Sequence, residues 1–225
     1  MEENNEKKLD AEELKKEAAD AVNQVKDTIK NVDIRKDTLE TKGFLTEMIK
    51  NPLGKIKEVA TKNDSKFLKY VIIIIAIWCV AELIYESFTL NNLWGFSNIG
   101  TSILSVIISA ITPIISVLIM SIIIYVLNKT NKKNITTVFS AITTASIPLV
   151  FSSIVSLLNL INSRIGLITS SFAKLCNIIS IILSYFAIKN VFGIEKNSEF
   201  IKKFLLIQFI YYVVYIILSL LGIYI

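Results

Sequence analysis

The side chains best placed to do chemistry are ionisable groups in apolar surroundings. The stretch KYVIIIIAIWCVAELIYES, residues 69–87, carries Glu82 and Glu86 one helical turn apart, and a later apolar run, GLITSSFAKLCNIIS, carries Lys174 and Asn177. An ionised group within hydrocarbon costs roughly 3 kcal/mol or more unless it is paired, protonated or turned to water, so such groups mark ion paths, proton sites or ion pairs. Measured by the helical rise from Phe67, Glu82 lies about 22 Å and Glu86 about 28 Å along its helix. Lys174 lies about 12 Å from Gly166 at the opposite end of its own helix, a matching depth. A Glu82–Lys174 ion pair is therefore expected, with separate snorkelling of each group to the headgroups as the alternative. Asn177 is expected to make an interhelical hydrogen bond or to meet a solute.

Other chemistry finds little support. The chain has no histidine, and Cys79 and Cys176 both lie inside apolar runs, so no familiar metal set or disulfide framework assembles. No nucleophile stands beside a base, and the seven glycines form no phosphate-cradling loop. Neither an enzyme nor a cofactor is expected.

These residues need helices long enough to place them in a bilayer. Of 225 residues 53% are hydrophobic, and five runs reach the roughly 20 residues that a crossing requires, at about 68–88, 101–127, 136–160, 166–189 and 201–224. The fold class expected is all-α, a polytopic membrane protein. No secretory signal peptide is expected, because a long polar segment precedes the first apolar run. Residues 1–69 hold 15 basic and 15 acidic residues, so the net charge of +5 comes from the membrane domain and is no sign of nucleic-acid binding. Lysines cluster in the N-terminal region, in NKTNKKN at 128–134 and at Lys189, Lys196, Lys202 and Lys203, whereas the intervening turns carry only Arg164. The positive-inside rule then predicts a cell-membrane protein with its N-terminus cytoplasmic, its C-terminus LGIYI outside, and Trp94 and Phe96 at the outer interface.

Small and hydroxyl residues at three- and four-residue steps predict which faces pack together. The stripes are Ser102, Ser105, Ser109, Thr112 and Ser116 on the second span, then Ala141, Ala145, Pro148, Ser152, Ser156 and Asn159 on the third. On the fourth they are Thr169, Ala173, Cys176, Ser180 and Ser184. They predict a tight bundle, or a polar path between helices. Pro148 frees a carbonyl that neighbouring hydroxyls can satisfy. The aromatic fifth span, with Gln208 as its one interior polar group, suits a lipid-facing position.

Ahead of the spans, three parts divide the chain: an arm at 1–43, a juxtamembrane segment at 44–66 and the membrane domain at 67–225. Over residues 6–36 the positions Ala11, Leu14, Ala18, Val22, Val25, Ile29 and Val32 predict one amphipathic helix, suited to a cytoplasmic protein partner. Asn51 before Pro52 reads as an N-cap and first helical residue. Around it Phe44, Leu45, Met48, Ile49, Leu53, Ile56 and Val59 are expected to form an apolar underside on the inner leaflet. Lys50, Lys55, Lys57 and Lys62 would contact its headgroups, each worth up to about 1 kcal/mol near anionic lipid.

The short NPLGKI helix before the first span, the hydroxyl-rich VFSAITTASIPLVF and the sequence SYFAIKNVFGIEKN entering the cytoplasm resemble bacterial members of the Yip (Ypt/Rab-interacting) family over residues 44–225. The landmarks are Asn51 and Pro52, Pro148, and Phe192 with Gly193. The acidic Asp-Leu-Tyr-Gly-Pro-like motif of eukaryotic relatives is missing. The resemblance implies a five-span, non-catalytic membrane scaffold or organiser. The competing expectations are a small-solute or ion transporter using Glu82, Glu86 and Lys174, and a resistance or immunity protein against membrane-active agents. Self-association remains open.

Overall fold

The computed structural model describes residues 2–62, 64–94, 99–128 and 133–220, with side chains in the first helix from Lys15 onward. Phe96, part of NKTNKKN and the whole of LGIYI lie outside these residues, as do the side chains of Trp94, Ser102 and Ser105. Among the described residues the regular structure is all helical.

Three helices form a cap: α1 (Glu2–Lys30), α2 (Ile34–Lys50) and α3 (Pro52–Thr61). The single helix expected over 6–36 is two helices, because Asp33 stops one and starts the next. Its carboxylate accepts from the backbone N–H groups of Arg35 and Lys36, both at 3.1 Å, while Asp37 accepts from the Asp33 N–H at 2.9 Å. This reciprocal cap satisfies orphan donors at the helix start, so initiating α2 there is favoured over continuing α1. Asn51 and Pro52 behave as the sequence predicts, with the Asn51 side chain accepting from the Gly54 N–H at 3.0 Å. Helix α2 runs through Gly43 and Phe44, so no element boundary falls between the arm and the juxtamembrane segment.

The remaining elements are α4 (Ser65–Trp94), α5 (Ile99–Leu127), α6 (Ile135–Ala145), α7 (Ile147–Ser156), a short α8 (Leu158–Ile161), a 3-10 turn (Ser163–Ile165), α9 (Gly166–Phe192) and α10 (Asn197–Leu220). Four of the helices are single apolar spans, and α6 with α7–α8 makes a fifth that bends by 46°. That pair crosses the bundle rather than turning back within it. Its start meets the cap where Thr136 bonds Gln24 at 3.2 Å, and its end is tied to the start of α9 where Thr169 donates to Asn159 at 2.7 Å. The 27-residue α9 then returns to the cap. Asn128 at the end of α5 donates to the Val191 carbonyl near the end of α9, at 3.3 Å, placing both ends at the same side. The protein is a multi-pass, all-α membrane protein. Helix α4 continues past residue 88 because no Gly or Pro interrupts it before Gly95.

The bend has a covalent cause. Pro148 has no N–H to give to the Thr144 carbonyl, and at the break the Leu149 N–H turns to the Ser146 carbonyl at 2.9 Å, so the Ala145 carbonyl is met instead by the Ser180 hydroxyl on α9, 3.1 Å away. A neighbouring helix thus closes what the proline opened. At the other end of α9, Gly193 takes the left-handed conformation, φ 62°, that ends the helix.

One core runs through cap and bundle. Phe44, Met48, Ile56 and Val59 of the cap share it with Phe67 and Trp78 of α4, Val138 and Ala141 of α6, and Ile188 and Val191 of α9. This corrects the expected apolar underside: Phe44, Met48, Ile56 and Val59 face protein, and only Ile49 and Leu53 of that set are exposed. Residues on opposite sides of an amphipathic helix cannot all face one lipid plane, and helices α6 and α9 offered the cap a drier surface. Helix α10 is the contrast, with only 6% of its apolar window buried, as expected for a lipid-facing span.

Candidate functional site

Glu82 sits on α4 facing α7. The bend at Pro148 turns α7 against α4, bringing the Ser153 hydroxyl to Glu82 Oε1 at 2.5 Å, and the Trp78 indole N–H donates to the same Ser153 oxygen at 3.0 Å. Ser153 Oγ also lies 3.2 Å from the Leu149 carbonyl. Trp78 is buried, whereas Glu82 and Glu86 are half-buried. The arrangement is a relay of donors, indole to hydroxyl to carboxylate, that holds Glu82 with no cation beside it among the described residues. It can hold a carboxylate in one rotamer deep in a membrane span, where an unbonded one would be costly.

The expected partner of Glu82 is not Lys174. No ion pair joins them among the described residues, and Lys174 is exposed. The reason is topological: α7 packs against both α4 and α9 and stands between them. It is also rotational, since Thr169, Cys176, Ser180 and Leu183 form the buried face of α9 and Lys174 lies two residues from Cys176, on the far side. Asn177 belongs to a different place, an opening between α9 and α10 that also receives Gln208. The structure therefore keeps Glu82 with Glu86, and separates both from Lys174 and Asn177.

Ser153 and Trp78 were missed by sequence reasoning. A straight third span puts Ser152 and Ser156 on the packing stripe, but the bend changes the register beyond Pro148 and brings Ser153 to α4. The available signal was Trp78 and Glu82 at i and i+4, two polar groups on one face that both needed a partner.

In the cap, the four lysines expected at lipid headgroups part company. The part-buried Lys55 ammonium pairs with Glu47 and with Glu58 Oε2, the latter at 2.8 Å, and lies 5.6 Å from the centre of the Phe44 ring. Burial pulls its pKa down, but the hydrogen bonds and charges of Glu47 and Glu58 outweigh this and raise it. Lys62 bonds Glu58 Oε1 at 3.0 Å, and the hydrogen bonds from Lys55 and then Lys62 hold the Glu58 carboxyl below its usual range. Lys50 and Lys57 remain exposed and make no such pair among the described residues, beside the exposed Ile49 and Leu53. The basic surface is thus smaller than the lysine count implies.

Helix α1 lies across the ends of α4 and α6. It is held by the Gln24–Thr136 bond, and Lys69 at the base of α4 donates to the Asn31 carbonyl at 3.2 Å and to Asp37 at 3.5 Å. Tyr70 donates to Glu40 at 3.0 Å, tying α2 to the same place. Beneath α1 is a cleft of about 440 Å³ with mixed walls, bordered by Asp27, Lys62 and Lys69 and by Val59, Phe67 and Leu68. The outer face of the cap stays apolar in part: Val22 is 66% and Ile29 55% exposed on α1, with Ile34 and Leu39 exposed on α2. No protein-family model, curated protein or solved structure matches the chain.

Proposed function

We propose that this protein is a non-catalytic membrane scaffold whose cytoplasmic cap recruits a protein partner, a role of the kind the Yip resemblance implies. The observation that carries the reading is the posture of α1. Its Gln24 side is tied to the bundle through Thr136, while Val22 and Ile29 on the same formed helix are exposed. A pre-formed helix with free apolar residues avoids much of the ordering cost of binding. The lysine distribution supports placing the cap in the cytoplasm. Transport by the charged cluster is less well supported, because Glu82 and Lys174 do not border a common path.

Val22→Glu with Ile29→Glu provides the test. Crosslinking and pull-down from the native membrane should recover a reproducible cytoplasmic partner with the wild type and lose it with the variant, while membrane insertion is unchanged. Identical recoveries from both would overturn the reading.

A further inference from the structure

A second opening lies within the membrane domain, far from the cap. It is a crevice of about 270 Å³ between α5, α6, α9 and α10, bordered by Ser116, Ser146, Asn177, Ser184, Gln208 and Tyr212 among others. Gln208 lies eleven residues into α10 and Asn177 eleven residues into α9, about 16 Å from opposite ends and so near the middle of a roughly 30 Å hydrocarbon layer. The bordering side chains are all uncharged.

Four of the nine polar side chains on these walls are already satisfied. Ser116 and Tyr211 share a hydrogen bond at 2.5 Å, Ser146 donates to the Ile142 carbonyl at 3.0 Å, and Ser180 serves the Ala145 carbonyl. The amides of Asn177 and Gln208 have no hydrogen-bond partner among the described residues. Each carries two donors and an acceptor, and leaving them bare in hydrocarbon costs several kcal/mol. Two open amides meeting at one mid-membrane crevice therefore ask for a guest that supplies hydroxyl or carbonyl groups.

The route and the charge define that guest. Helix α10 touches mainly α5 and α9 and is otherwise bare, so the crevice opens sideways to the bilayer. A phosphate would find no cation on these walls. The space equals the liquid volume of roughly nine waters, enough for a small head while the chains stay in lipid. We propose that this crevice binds the uncharged head of a neutral lipid, a molecule with hydroxyl or ester groups on an apolar body, through Asn177 and Gln208. Diacylglycerols and long-chain prenols both have this chemistry.

The test uses the full-length protein in phosphatidylcholine vesicles containing a trace of photoactivatable diacylglycerol, with labelled peptides mapped by mass spectrometry. Labelling should concentrate on α9 and α10 around Asn177 and Gln208. Unlabelled diacylglycerol or a long-chain prenol should compete, the stronger one naming the source, and phosphatidylglycerol should not. Asn177→Leu and Gln208→Leu should each reduce specific labelling about fivefold, one neutral hydrogen bond apiece. Diffuse labelling, equal competition by phosphatidylglycerol, or full labelling of a folded double variant would overturn the proposal. The competition series on the wild type decides the matter even if a variant fails to fold.

Discussion

At the scale of single residues, the membrane carboxylate Glu82 is held by a hydroxyl instead of by an opposite charge. Ser153→Ala should leave both Glu82 and the Trp78 indole without that partner, costing about 1–3 kcal/mol and lowering the melting point in mild detergent. Combined with Glu82→Gln, the two losses should be less than additive, and strict additivity in a double-mutant cycle would show that the short contact carries no coupling. Glu58 offers a pH test in the cap. Its folded pKa lies below the ordinary 4.5, so its stabilising contribution is complete above that value and disappears as pH falls through the lower folded one. Thermal stability of the wild type should exceed that of Glu58→Gln at neutral pH, and the two curves should converge in acid. Lys55 gives the opposite sign, a contribution present below 10.5 and lost only as pH rises above it. The sequence made Glu82 conspicuous, but matching depths gave no information about azimuth. That is why a partner two helices away was expected, when Ser153 on the adjacent helix was the one in reach.

At the scale of elements, apolar length revealed the five crossings and Asn51-Pro52 revealed the start of α3, since both depend on local chemistry. The break at Asp33 was equally local, written in the spacing of Asp33 and Asp37, yet the unbroken apolar periodicity on either side hid it. The 46° bend was legible only as a proline; its direction depends on Ser180 and on packing, which a single segment does not encode. Pro148→Ala restores the missing N–H and should let α6 and α7 straighten. In a Trp94→Phe background the emission of Trp78 should then shift, because its indole loses Ser153; an unchanged spectrum would mean that packing alone maintains the bend. Gly193→Ala is expected to cost about 1 kcal/mol through its left-handed backbone, measurable as a lower melting point.

At the scale of the whole molecule, cap and bundle share one apolar core, so they should unfold together. Ile56→Ala should cost about 2–5 kcal/mol and make α9 as well as α3 more sensitive to proteolysis in detergent. Were the segment merely resting on lipid, that substitution would weaken vesicle attachment and leave the bundle unaffected. This level was the least legible: the amphipathic pattern of residues 44–59 was plain, but a pattern says that one side seeks a dry surface without saying which surface. The answer has a consequence for how the chain is made. Ile56 and Val59 leave the ribosome early, yet the α9 residues that enclose them, Ile188 and Val191, follow about 130 positions later, roughly 7 to 26 seconds at ordinary translation speeds. During that interval the newborn front end displays Phe44, Met48 and Ile56 with nothing to shield them, so biogenesis requires either a chaperone's temporary hold or a passing stay on the bilayer surface.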